Sequence, residues 1–125
     1  MTTANEILRA TLSLMGAEKE EARYAERALA GINALTADLF VLDHALKGEA
    51  AAPAAAVPVL ASLEDTTDLA DLLVRSLIPL GLAAYLLNEE EERRAAFFHN
   101  LYRTEKNVLL RQFAPSRRHP IRQVY

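Results

Sequence analysis

The sequence predicts an all-α protein, a small bundle of about four helices ending in an extended arm. Three observations carry that expectation. Apolar residues recur at steps of three, four and seven through most of the chain. Only four glycines and five prolines occur, while alanine is abundant, which favours helices over a turn-rich sandwich. The length, 125 residues, suits one domain that buries about two-thirds of its unfolded surface without a disulfide or metal.

The first helix is expected at Ala4 to Met15. Thr3 and Glu6 match a capping box, in which each side chain satisfies a free backbone donor of the other. Ile7, Leu8, Thr11, Leu12 and Met15 follow at helical spacing, and Gly16 suits the left-handed position that ends a helix. A long second helix is expected from Glu18 to Lys47, roughly 45 Å at the usual rise. Ala25, Leu29, Ile32, Leu39 and Leu46 form its stripe, flanked by Ala28, Leu35 and Leu42, and Gly48 closes it. Gly31 within it suits close packing or a bend.

Residues 49–58, EAAAPAAAVP, read as a low-complexity linker, since Pro53 and Pro58 block a continuous helix. Ser62 to Asp68 is rich in capping residues. A third helix then runs through Leu69, Leu72, Leu73, Ser76, Leu77 and Leu80. Pro79 lacks a backbone donor and clashes with the preceding turn, so a kink is expected near Arg75 to Ile78. Residues 81–87 are apolar all round, the mark of a buried segment. Asn88 and Glu91 suit a second capping box, with Glu89–Arg93 and Glu90–Arg94 as favourable pairs one turn apart. The last pattern holds Phe97, Phe98, Leu101, Tyr102, Val108 and Leu109 and runs to about Gln112, either as a fourth helix or as a continuation of the third. The aromatics at this spacing are expected in the core.

Several kinds of chemistry find no support in the sequence. The chain has no cysteine, so disulfides and cysteine-based metal or redox sites are excluded. The glycines stand alone, and no phosphate-binding loop is formed. His44, His99 and His119 are scattered without metal-ligand spacing. Four successive acids, Glu89 to Glu92, cover all sides of a turn and cannot converge on one cation. No serine has a recognisable base beside it, so the chain is not expected to be an enzyme or to carry a cofactor. The start of the chain has no basic and apolar leader, and the longest apolar run, Leu77 to Leu87, is too short to span a bilayer.

Charge is divided unevenly. Residues 1–105 hold 17 acids and 9 bases, a net of −8, whereas residues 106–125 hold 5 bases and no acid, a net of +5. Such a split suits head-to-tail contact between copies, or a basic end meeting an acidic or nucleic-acid partner. The last thirteen residues, FAPSRRHPIRQVY, concentrate the contrast. Pro115 and Pro120 disfavour a helix there. Phe113, Ile121, Val124 and Tyr125 are apolar anchors, and Arg117, Arg118 and Arg122 carry the charge. The chain therefore reads as a helical domain, 1–112, and a docking arm, 113–125. The arginines suit carboxylates of a partner, DNA phosphates contacted without sequence reading, or water.

The stretch LIPLGLAAYLLNEEEERRAAFFHNL holds Leu80, Gly81, Leu82, Ala83, Ala84 and Leu86, then Ala95, Phe97 and Tyr102 beyond the acidic break. With Ile121, Val124 and Tyr125 in the tail, it resembles the head–tail connector, or adaptor, proteins of tailed bacteriophages. The resemblance implies a helical virion protein forming a ring, commonly of twelve copies, beneath the portal protein. Such a ring is assembled in the host cytoplasm, extends the DNA channel with possible non-specific DNA contact, and offers a surface to the next neck, stopper or tail protein. It implies that the arm docks on the portal or a neighbouring subunit, with no membrane involved. The alanine–proline linker departs from the family pattern. A different reading is a small helical interaction or regulatory module, dimeric in the simplest case.

Overall fold

The computed structural model describes residues 2–48 and 57–113, and all its regular elements are helical. They are α1 (Ala4–Met15), a single 3₁₀ turn (Glu18–Glu20), α2 (Glu21–Leu46), α3 (Asp71–Ser76), α4 (Ile78–Leu87) and α5 (Glu92–Phe113). The expected all-α bundle is thus present, with five α-helices among the described residues rather than four.

α1 follows its sequence signals. The Thr3 hydroxyl accepts from the Glu6 amide at 3.1 Å, and the Thr3 amide donates to the Glu6 carboxylate at 3.0 Å. Gly16, at φ 72°, ends the helix in the left-handed conformation, and its amide donates to Leu12 and Ser13 carbonyls. Ile7, Leu8, Leu12 and Met15 are buried.

α2 is the central rod, with other elements packed on several sides of it. Its buried set is therefore wider than one stripe. Tyr24, Gly31, Thr36, Phe40 and Asp43 join Ala28, Ile32, Leu39 and Leu42, while Ala25, Leu29, Leu35 and Leu46 are only partly covered. The span Glu18–Leu46 is long and apolar enough by composition to cross a membrane, and 39% of its most apolar window is buried against the other helices.

Pro79 produces a break rather than a bend. α3 ends at Ser76, Leu77 bridges, and α4 begins at Ile78 with the proline in its first turn, where the missing donor costs nothing. Backbone bonds continue across the junction, from Leu77 to Leu73 and from Gly81 to Leu77, both 3.0 Å. α4 is surrounded by α1, α2, α3 and α5. Leu77, Ile78, Leu82, Leu86 and Leu87 are fully enclosed.

Two close approaches at glycine set the α2–α4–α5 spacing. A Cβ on Gly31 would lie 2.7 Å from both Leu82 and Tyr85, and one on Gly81 would lie 2.5 Å from Leu35 and 2.9 Å from Tyr102.

Four sequence expectations are corrected. Asn88 and Glu91 form no capping box. Asn88 is the C-terminal cap of α4, and the Glu90 and Glu91 amides both donate to the Leu87 carbonyl, so a tight turn separates two helices. Neither expected pair forms: Arg93 makes no ion pair among the described residues, and Glu90 does not pair with Arg94. It crosses to α2, where it meets Arg23 at 2.8 Å and accepts from the Tyr24 hydroxyl at 2.9 Å, while Glu91 pairs with Arg94. Leu72 is 44% exposed although it lies on the predicted stripe of the third helix, because α3 is only six residues long and its far side has no neighbour. Phe97 is 59% exposed, with only Phe98 and Tyr102 of the aromatic set in the core.

Residues 57–70 cross the bundle without regular structure and hold it closed. Ala4 and Asn5 amides, unpaired within α1, donate to the Asp65 and Leu63 carbonyls, and Thr3 and Thr66 form an isolated antiparallel bridge. Asn33 of α2 brackets Leu60 with two hydrogen bonds. Asp43, only 4% exposed, accepts from the Ala70 amide at 2.6 Å and pairs with Lys47 at 3.0 Å. Lys47 in turn donates to the Asp68 carbonyl.

Candidate functional site

Of the arm residues singled out by sequence, Phe113 is the last residue of α5, on an exposed stretch of that helix. Arg117, Arg118, Ile121, Arg122, Val124 and Tyr125 lie outside the described residues.

The helical body presents a groove of about 770 Å³ between α2, α4 and α5. Small residues line it, notably Gly31, Ala34, Gly81, Ala84 and Ala96. Arg27, Asp38, Glu89, Glu92 and His99 stand along its rim. Arg27 donates to the Tyr85 and Leu86 carbonyls, both 3.2 Å, and so neutralises the negative end of α4 while lying over the Tyr85 ring.

Asp38 is the best-organised polar group of the groove. Its carboxylate accepts from the Tyr102 hydroxyl at 2.6 Å and from Lys106 at 2.8 Å. Partial burial pushes its pKa up, but the hydrogen bonds from Lys106 and Tyr102 and the lysine charge outweigh this and hold it below the usual carboxylate range. Burial, then the adjacent carboxylate, drive the Tyr102 hydroxyl well up, so it remains a donor. The set ties α5 to α2. Its proton donors are already committed, which suits a structural clasp more than acid–base work.

A smaller cavity of about 260 Å³ lies where residues 58–69 cross α2, beside Phe40, His44 and Lys47. The His44 Nδ1 lies 3.0 Å from the Phe40 carbonyl, and the two rings are 4.3 Å apart. No group of three or more His, Asp or Glu side chains among the described residues is placed to hold a metal ion.

The outer surface of α5 is the feature that sequence reading missed. Phe97, Leu101 and Val108 all face solvent, in line along the helix, while Phe98, Tyr102 and Leu109 face the core. The signal was present as three adjacent apolar doublets, 97–98, 101–102 and 108–109. Neighbours in a helix diverge by about 100°, so a one-sided core takes one member of each doublet and leaves the other outside.

In comparisons with known proteins, no family model, no curated protein and no solved structure matches this chain.

Proposed function

We propose that the chain is a structural protein of a tailed-bacteriophage virion, a head–tail adaptor that forms a ring beneath the portal protein. One observation supports this reading above others. Most of the α4 and α5 residues that carry the resemblance to connector proteins are packed together, with Phe97 outside the seam and Ile121, Val124 and Tyr125 outside the described residues. Gly81 lies under the Tyr102 ring, Leu82 and Ala83 are fully buried, and Ala84 and Ala95 close the contact between α4 and α5. A motif spent on helix packing specifies a shape, and shape is what an assembly protein contributes. The ring extends the DNA channel and presents an attachment surface to the next neck or tail protein. Phe113 to Tyr125 dock on the portal or the adjacent copy.

Electron microscopy of the protein mixed with portal rings tests the proposal. Extra density beneath the portal is expected with the full chain. Truncation after Gln112 is expected to abolish binding while leaving the helical circular dichroism unchanged, because every buried residue among those described lies before that point. Binding by the truncated chain removes the arm from the mechanism. Failure of the full chain to bind removes the adaptor reading itself.

A further inference from the structure

The exposed spine of α5, Phe97, Leu101 and Val108, has a charged flank. Arg93, Asn100, Arg103, Asn107 and Arg111 run beside it within an arc of about 80° and over about 27 Å. None of the three arginines makes an ion pair or a side-chain hydrogen bond among the described residues, whereas Arg94 and Lys106 on the same helix are both engaged. Glu105 stands one turn from both Leu101 and Val108 and is the acid within this surface; exposed aromatic and aliphatic side chains beside three arginines otherwise have the composition of a protein interface. A nucleic-acid backbone would use the arginines but gives no reason for three bare apolar side chains.

The complementary charge lies on the far side of the molecule. Between residues 57 and 72 stand Glu64, Asp65, Asp68 and Asp71 without a lysine or arginine in the stretch; Asp71 pairs with the exposed Arg75, Asp65 accepts from the Ala61 and Ser62 amides, and Lys47 reaches the Asp68 carbonyl, which leaves the surface net acidic. Val59, 75% exposed, and Leu72 are the uncovered apolar groups there. α2 separates this surface from α5. Its Gly31, Leu35 and Asp38 face α4 and α5, while Asn33, Asp43 and Lys47 hold residues 60–70. Asp38 is about 140–180° round the helix from those three.

The geometry points to a second copy of this chain as the occupant: the outer face of α5 docks on the acidic 57–72 surface of the next copy. The inference rests on the ring-forming reading and supplies its subunit interface. The two surfaces differ and lie on opposite sides, so the contact is heterologous and propagates head to tail. Such a contact closes into a ring when the rotation per copy divides a full turn. The apolar spine meets Leu72 and Val59, and Arg93 and Arg111 meet the carboxylates of Asp68 and Asp71.

The absence of cysteine gives the test a clean background. Full-length Phe97→Cys and Leu72→Cys proteins are treated with a short bis-maleimide, singly and mixed. The mixture is expected to yield a covalent one-to-one dimer and each protein alone to stay monomeric. Arg93→Glu with Arg111→Glu on the Phe97→Cys chain abolishes the product, and Asp68→Lys with Asp71→Lys on the Leu72→Cys chain restores it. All these positions are exposed, and circular dichroism confirms that each variant folds. Self-cross-linking of Phe97→Cys overturns the inference in favour of a two-fold α5 pairing. A mixed product indifferent to charge reversal, or none at any concentration, also overturns it. So does salt-sensitive DNA binding lost in the double Arg→Glu variant without any cross-link. Portal binding is read separately, so a missing cross-link with portal binding intact removes this interface and leaves the adaptor reading standing.

Discussion

α4 and α5 are consecutive helices joined by one tight turn, yet they treat apolar residues in opposite ways. α4 has neighbours on every side, and most of the large side chains it carries are enclosed; Tyr85, at the mouth of the groove, and the partly buried Leu80 are the exceptions. α5 has the bundle on one side only. It buries Phe98, Tyr102 and Leu109 and leaves Phe97, Leu101 and Val108 uncovered. Sequence hydrophobicity therefore reports burial only where the number of neighbours is known. In α4 an apolar residue is a commitment to folding, and in α5 half of them remain available for contact with something else.

That contrast can be broken by substitution. The largest effect is expected from Leu82→Ala, which removes a fully enclosed side chain at the centre of α4 and costs about 3–4 kcal/mol in urea unfolding. Phe97→Ala is the counterpart on α5 and should cost less than about 1 kcal/mol despite the larger side chain removed. Equal costs would erase the distinction between the helices. Gly81→Val comes next, at about 2–3 kcal/mol, because the new side chain collides with Leu35 and with a Tyr102 ring already held by Asp38. Asp43→Ala should cost about 2 kcal/mol, since it leaves the Ala70 amide without its acceptor and Lys47 without its partner.

The smallest effect sharpens how α5 is held. The Asp38 pKa is lower in the folded chain than in the unfolded one, so its contribution is present above the ordinary carboxylate pKa of about 4 and is lost as pH falls through the folded value. Its side chain is 47% exposed, which screens the effect to below about 1 kcal/mol. Asp38→Asn should flatten the acid side of the stability–pH curve slightly and leave stability at neutral pH lower. An unchanged curve would assign the α5 attachment to apolar packing alone.

The parts of this fold that local rules govern were legible in the sequence. Thr3, Glu6 and Gly16 marked both ends of α1, since capping depends only on residues within a turn. Pro79 marked the α3–α4 junction for the same reason. The misplaced features depend on distant residues. Asn88 has the chemistry of a cap, but the Leu87 carbonyl took both following amides. Glu90 has a partner one turn ahead in sequence, yet Arg23 and Tyr24, more than sixty residues away, claimed it. The tether formed by residues 57–70 was hidden because its bonds run largely through backbone carbonyls and amides, which carry no sequence signature. Of the candidate site, the arm was read from charge and spacing, and the outer face of α5 was concealed by the assumption that aromatics at helical spacing belong inside.

The bonds between the first turn of α1 and residues 63–67 set an order on synthesis. The Thr3–Glu6 cap is local, but the Ala4 and Asn5 amides need carbonyls some sixty residues later in the chain. The leucines of α4 that enclose α1 emerge later still. A nascent chain ending at Gly48 therefore has only the α1–α2 contact and lacks the α4 leucines that complete the core. It is expected to remain protease-sensitive and bound by holding chaperones until α4 emerges, when the bundle closes in one cooperative step. Folding is thereby tied to the emergence of α4, and products truncated before it are left open to degradation rather than to assembly.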